Sequence, residues 1–395
     1  MNRFHLVASI ALIWNTVVAQ IPPGYEVVYI ETGFPFDNNA SINDLGDIAI
    51  TSFADPFDIT TSELFIYRDG EITRITEDRV IDRLPDINNA GTIAWSRGVG
   101  ANNSTEIFVR HNNTTTRLTT NSWEDFAPKL NQSGDLVWLE YFRRGCGNAE
   151  ANIMMYDANG THRIYGDGLS NQMPRINENG QITWTRYNFC DTPWSSDIML
   201  YSDGVVQALT TDQMQPQICG ISDDGAIAWY FNQPEYPYND GIQLWQNGDT
   251  ELLTGWGSGL RMNGRGDIAF DRWYDSNQTW QVWLYLRGRF WQITDDSVWN
   301  FVEDINDRGE VVWISGIVPT DTRIGYLRRM PDGDMNCDGR VDNFDIDPFV
   351  EALAEPEQYL TNHPSCDVWL ADMNHDERVN VFDIDPFVSV VIVTP

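Results

Sequence analysis

A nine-residue pattern, a polar turn followed by an apolar strand, returns seven times in this chain and fixes what it can fold into. It reads INNAGTIAW at Ile87–Trp95. The other copies are INDLGDIAI (Ile42–Ile50), LNQSGDLVW (Leu130–Trp138), INENGQITW (Ile176–Trp184), ISDDGAIAW (Ile221–Trp229), MNGRGDIAF (Met262–Phe270) and INDRGEVVW (Ile305–Trp313). Their glycines stand 45, 43, 46, 45, 41 and 43 residues apart. Asn, Asp or Ser two or three residues before Gly supplies the positive φ angles of a tight turn, and the Ile-, Val- and Trp-rich run after it reads as a strand. Most copies lead on to a second strand and turn, as in ELFIYRDG (Glu63–Gly70), DIMLYSDG (Asp197–Gly204) and QVWLYLRG (Gln281–Gly288), and then to a third strand. An Asp-x-x-Pro lead-in often comes before the next turn, as in DFAPKLN (Asp125–Asn131). A sheet of three to four antiparallel strands per period hides its faces only by stacking on its neighbours.

The period is that of a four-stranded blade, so the expected fold is all-β, a seven-bladed β-propeller over residues 20–330. Tyr25–Thr32 is a strand pattern with no turn unit of its own, and the last copy lacks an outer strand after Thr322–Arg329. Each supplies what the other lacks, which predicts that Tyr25–Thr32 completes the last blade and leaves no open edge. Residues 1–19 read as a secretory signal peptide: Arg3 and His5, an apolar run to Val18, then Ala19. No other apolar run approaches the ~18 residues of a membrane span. The expected protein is therefore exported, secreted or held at the cell surface. A net charge of −33 argues against nucleic acid and anionic membranes as partners. Lys129 is the single lysine and sits in a repeat position, a poor candidate for Schiff-base chemistry.

The I-N-x-x-G-x-I-A-W … I-x-x-Y-x-x-G … L-T pattern resembles the TolB-type and WD-like β-propeller repeats of exported bacterial proteins, over roughly Gly24 to Arg329. That resemblance implies a binding platform and specifies no partner.

The connections between first and second strands of the later blades are long and aromatic. They bring Tyr141, Tyr187, Trp194, Tyr236, Tyr238, Trp273 and Tyr274 to one side, with Asp, Asn and Arg among them. Flat rings beside polar groups suit a polysaccharide-binding face, and the same rings also suit a small core packed among the loops. Carboxylates such as Asp191, Asp197, Glu235, Asp240, Asp271 and Asp275 leave room for a glycoside hydrolase or lyase, which needs a pair at a set separation. The repeats lack sialidase-type Asp-box spacing, and there is no zinc-protease helix, nucleophile elbow or phosphate loop. The five histidines are scattered. In an exported chain, Cys146 and Cys190 lie in equivalent loops of adjacent blades and are expected to pair, as are Cys337 and Cys366. Cys219 is left as a buried thiol.

Composition changes at Pro331. Residues 332–395 carry 15 Asp and Glu against Arg340 and Arg378. A D-x-N-x-D-G-x₅-D register places Asp334, Asn336, Asp338 and Asp345 as oxygen donors, and it returns without the Gly as Asp372, Asn374, Asp376 and Asp383. With a backbone carbonyl from Arg340 or Arg378 at the seventh position, this is a hard-ligand set for Ca²⁺. Each loop runs into the same FDIDPFV helix start, Phe344–Val350 and Phe382–Val388. The module, residues 331–395, is expected to be a small α-helical, tandem calcium-loop, EF-hand-like domain that calcium helps to fold.

It resembles a dockerin type I module, especially the DIDPFV-bearing kind of exported planctomycete proteins. The resemblance adds Asp342 to the first site and Asn380 to the second, and it implies protein docking in a glycan-degrading setting. Glu377 stands where the first loop has Gly339, which implies a weaker second site. Asn343-Phe344 and Val381-Phe382 occupy positions that choose the cohesin in cellulosomal dockerins, so the implied partner is a cohesin-like or other surface protein. Together these features read as a non-catalytic binding or display protein; the alternative is a secreted carbohydrate-active enzyme whose active site lies on the propeller face.

Overall fold

The structure is a computed structural model. It describes residues 20–393 except 101–103, 146–147, 190–193, 211–214, 234–238, 275–277, 318–320 and 377. The expected signal peptide, the Cys146–Cys190 pairing, Tyr236, Tyr238 and Glu377 thus lie outside the described residues.

Every repeat copy is a hairpin. Phe36–Ile42 turns through Asn43–Asp47 into Ile48–Phe53, then pairs on through Ser62–Arg68 to Glu71–Arg74, all antiparallel. The strands form three four-stranded and two eight-stranded sheets. Each eight-stranded sheet is two such antiparallel units joined by one parallel residue pair, Ala151 with Ser170 and Phe36 with Thr322. In the last unit, Tyr25–Ile30 lies antiparallel to Asp321–Arg329, in register from Tyr25 with Arg329 to Ile30 with Ile324. The spare first strand thus covers the edge that the last repeat leaves bare.

The turns also hold one another. Asn43 Oδ1 accepts the backbone N–H groups of Leu45 and Asp47 in its own turn. Its Nδ2 donates 3.0 Å to the carbonyl of Asn88, the same position in the next turn. Asn88 reaches Asn131, Asn131 reaches Asn177, and Asn177 reaches Ser222 in the same way. Asn263 reaches Asn306, and Asn306 returns to Asn43 at 2.8 Å. Ser222 is too short to reach, and there Asp223 N–H donates to Gly264 O instead. The circuit of turns is closed.

Cores form between neighbouring sheets. Trp95, Trp138, Trp184, Trp229 and Trp313, at the last position of five copies, are at most 2% exposed. A buried indole N–H needs an acceptor. In three of the five the lead-in supplies it: Trp95 Nε1 donates to Asp82 at 2.7 Å, Trp138 to Asp125 at 2.8 Å, and Trp184 to Asn171 at 2.9 Å, whereas Trp229 donates to Gln243 and the buried Trp313 Nε1 has no acceptor among the described residues. The Asp-x-x-Pro signal is thus a partner for the tryptophan 13 residues on.

After Arg329 the chain becomes helical, with α1 (Ile346–Ala354), α2 (Pro356–Asn362) and α3 (Ile384–Val393) around a separate core of Met335, Phe349, Tyr359, Leu370 and Phe387. Phe349 and Phe387, equivalent positions of the two septapeptides, stack with centroids 3.9 Å apart. Cys337 and Cys366 form a disulfide, and Cys219 is a free, buried thiol.

Burial pushes the Asp125 carboxyl up to about 7. Unfolded Asp loses its proton near 4, so between pH 4 and 7 the folded state holds more protons and stability falls as pH rises. Asp125→Asn keeps an acceptor for Trp138, as Asn171 does for Trp184, and removes the ionisation. Denaturant melts should show the variant on the order of 4 kcal/mol more stable than wild type at pH 8 and level with it at pH 4. The same difference at both pH values would mean that Asp125 titrates as an ordinary surface carboxyl.

Candidate functional site

The C-terminal loops are built alike. In the first, Asp334 is fully buried; its two oxygens accept the N–H groups of Asp338 and Gly339 at 3.1 and 2.8 Å. Asp345, also buried, closes the loop by accepting from Met335, Asn336 and Asp342. Asn336 and Asp338 hold the middle of the loop through the N–H groups of Asp338 and Arg340. The second loop repeats these bonds: Asp372 and Asn374 accept from Asp376, and Asp383 accepts from Asn374 and Asn380. Asp342 with Asp345, and Asn380 with Asp383, form reciprocal caps on the turns that enter α1 and α3. Asp342 and Asn380 are therefore cap residues in this geometry. The Arg378 carbonyl accepts a long, 3.5 Å bond from Asn380 Nδ2. Backbone φ agrees as well: the fourth loop position is left-handed in both, 58° at Cys337 and 57° at His375. Gly339 takes the sixth position of the first loop at 87°.

The residue types of the two loops suit a hard cation, while among the described residues the carboxylate oxygens of neither loop gather as a trio within 4.8 Å of one another. Asp334, Asp345 and Asp383 are 0% exposed and have no ion pair among the described residues. Burial pushes Asp334 up to about 6 and raises Asp345, the expected cost of a buried carboxylate without a counter-charge. Among the described residues one trio of carboxylates has oxygens within 4.8 Å of one another, Glu63, Asp78 and Asp82. Arg74 and Arg97 already neutralise it through ion pairs to all three.

The second loop leans on the β-sheet part of the chain. Arg329 pairs with Asp332 at 2.6 Å and donates to the carbonyl of Trp369, three residues before Asp372. His375 Nε2 lies 3.1 Å from Asp332, and Arg287 pairs with Asp367 at 2.7 Å. Gly24 N–H donates to Ser365 O, and a cleft of about 550 Å³ lies beside these contacts. None of them was legible beforehand, because they join positions far apart in an unrepeated part of the sequence.

The aromatic side divides into separate clusters. Tyr187 is 7% exposed and stacks on Phe189, with Trp194 at 6.1 Å. Tyr141 is half-buried against Phe126, and Tyr274 bonds Gln292 beneath Arg272. Trp273 is 38% exposed and tilts against Trp280. Trp299 and Trp123, which the loop reading did not single out, are 41% and 45% exposed. Packing consumes Tyr187, and the rings most offered to solvent are these tryptophans near the strand ends and Phe57, 79% exposed in the equivalent connection of the first unit.

No family model and no curated protein matches the sequence. Solved structures do. An acylaminoacyl peptidase from Pyrococcus horikoshii superposes with a TM-score of 0.56 at 15% identity, over 75% of this chain and 51% of that one. An acylaminoacyl peptidase in complex with Z-Gly-Gly-Phe-chloromethyl ketone gives 0.56 at 14% identity, over 75% and 52%. The β-propeller domain of the Trilobed protease from Pyrococcus furiosus, reported with an open velcro topology, gives 0.55 at 12% identity, over 75% and 94%. This chain thus spans about half the length of the peptidases it matches. At such identities the likeness shows the fold alone, that of β-propeller proteins.

Gly24 has φ of 76°, and a Cβ there would stand 2.8 Å from Asp367 Cβ. Gly70, at 83°, has open space around it. Both Gly→Ala changes carry backbone strain of roughly 1–3 kcal/mol. Only Gly24→Ala should also raise hydrogen exchange across 365–376; equal exchange in the two variants would show that Gly24 does not hold the helical part in place.

Proposed function

We propose that the chain is a seven-bladed β-propeller over residues 20–330, exported by a signal peptide at 1–19. It carries at 331–395 a dockerin-like module that binds Ca²⁺ and docks onto another protein. The observation that carries this reading is the pairing of buried, uncompensated carboxylates with an exposed twin apolar face. Ile346 and Val350 on α1 are 42% and 55% exposed, and their septapeptide equivalents Ile384 and Val388 on α3 are 40% and 42%. They border one apolar groove of about 600 Å³ with Phe349 and Phe387 at its base. Exposed aliphatics at matched positions of two helices form a surface suited to a protein partner, a cohesin-like or other surface protein.

Asp334, Asn336, Asp338 and Asp345, with the Arg340 carbonyl, would hold one ion; Asp372, Asn374, Asp376 and Asp383, with the Arg378 carbonyl, would hold the other. A bound cation would supply positive charge to Asp334, Asp345 and Asp383, carboxylates that are buried without an ion pair among the described residues. The chain's own part is to bury Asp345 and Asp383 at the starts of α1 and α3, so that loop order becomes helix orientation. The propeller acts as a non-catalytic recognition or display platform, with Trp273 and its neighbours available for polysaccharide.

Calorimetric titration of the full chain with Ca²⁺ tests this. Two saturable sites are expected, with Asp334→Ala and Asp372→Ala each removing one. The melting temperature of the module should rise with calcium, by about 2.7 kcal/mol of stability at a hundredfold excess over Kd. Absence of binding at millimolar Ca²⁺ would sink the dockerin-like reading and leave the propeller platform standing.

A further inference from the structure

We propose that the axial channel of the sheet ring binds a small oxyanion, a carboxylate or phosphate, between Arg175 and Arg261. The residue before the first apolar position of each copy lies at the centre of the ring: Ser41, Asp86, Lys129, Arg175, Gly220, Arg261 and Asp304. All but Gly220 line a cavity of about 140 Å³. That is roughly ten times the 10–15 Å³ that admits one water, enough for a small ion with its remaining hydration.

Lys129 has a counter-charge, since its ammonium pairs with Asp86. Asp86 also accepts from Leu130 N–H and the Ser41 hydroxyl, so it is fully used. Asp304 accepts from Ile42 N–H. The two arginines have no ion pair among the described residues. Arg175 donates to the carbonyl of its neighbour Pro174, and Arg261 donates to the carbonyls of Glu303, Gly259 and Leu260. They flank Gly220, which contributes no side chain between them.

Burial lowers the Arg175 pKa and the positive charge of Arg261 lowers it further, against smaller opposing effects of Cys219, Asp304 and Asp86. Two guanidiniums that repel each other beside a polar cavity are stabilised by an anion that bridges both, and planar forks match carboxylate and phosphate oxygens. Carboxyls oppose this: Asp86 and Asp304 line the same cavity beside the arginines, and Asp44, Glu178, Asp223 and Asp307 line its turn end, so an anion must engage both guanidiniums directly to bind. Burial raises both Asp271 and Glu303, Glu303 to about 7, which favours their neutral forms. At the turn layer, Glu178, Asp223, Asp307 and Asp44 each accept a backbone N–H from a neighbouring turn. Their oxygens are thus engaged along the ring.

Titration of the full chain, in EGTA and at physiological ionic strength, with inorganic phosphate and with succinate tests the proposal independently of the C-terminal loops. One saturable site is expected for at least one probe, with a matching rise in melting temperature that sodium chloride of equal ionic strength does not give. Arg175→Gln should weaken binding at least tenfold, whereas Arg265→Gln, on the exposed turn surface, should leave it unchanged. Arg261→Gln also frees three carbonyls, so its folding is checked by circular dichroism, and Arg175→Gln decides if it fails to fold. No saturable binding of either probe, or binding that survives Arg175→Gln intact, overturns the site.

Discussion

The closed circuit of asparagine turns is what the rest of the molecule depends on. A four-stranded sheet of this width cannot bury both faces alone, so each unit is stable only between two others. That demand repeats around the ring and must end where it began. Asn306 donating to Asn43, and Tyr25–Ile30 pairing with Asp321–Arg329, satisfy it twice, once through side chains on the axis and once through a backbone ladder at the rim. Each turn asparagine uses its oxygen to shape its own turn and its nitrogen to hold the next. One residue type thus sets both local geometry and register between sheets. Where the copy has Ser222, a backbone bond from Asp223 takes over, so the ring tolerates the loss of one side-chain link.

This explains how much could be read beforehand. Repetition places a residue's role in view many times, and the turn glycines, the strand after them and the rim strand at Tyr25 were all legible because their logic is local and periodic. The Asp125 lead-in is legible in position and not in purpose. Its bond to Trp138 spans two strands, and it emerges only when the hairpin closes. The axial residues were missed for the opposite reason. They are a periodic position whose residue type varies, from Ser41 to Asp86 to Arg175, so pattern-seeking treats them as noise. Their position two before the turn Asn, together with unpaired charge, is the signal that would have found them. The loop aromatics show the limit of composition: Tyr187 and Trp273 looked equivalent, yet one is stacked in a cluster and the other is exposed.

Charge adds a second constraint. The chain carries −33 overall, yet its axis holds Lys129, Arg175 and Arg261 beside Asp86 and Asp304. An anion reaching the axis moves against the field of the surface, so selectivity there rests on the short-range geometry of two guanidiniums and not on steering. The reverse holds for the C-terminal loops, where surface field and buried carboxylates both favour a cation.

The two loops share a backbone and differ in what holds it. At the left-handed fourth position the first loop has Cys337, bonded to Cys366, and the second has His375, facing Asp332. A disulfide closing a 29-residue segment stabilises by roughly 3–4 kcal/mol in the chain-entropy picture, whereas an exposed histidine–carboxylate contact contributes under about 1 kcal/mol. The first loop is therefore fixed within the helical module itself. The second takes its order from Asp332, Arg329 and the Trp369 carbonyl, all positioned by the strand Asp321–Arg329 that closes the ring. An internal duplication has thus become asymmetric: one half is self-contained, and the other is anchored to the sheets beside it. Any cation in the second loop is coupled through those contacts to the propeller, and the coupling is reciprocal by linkage.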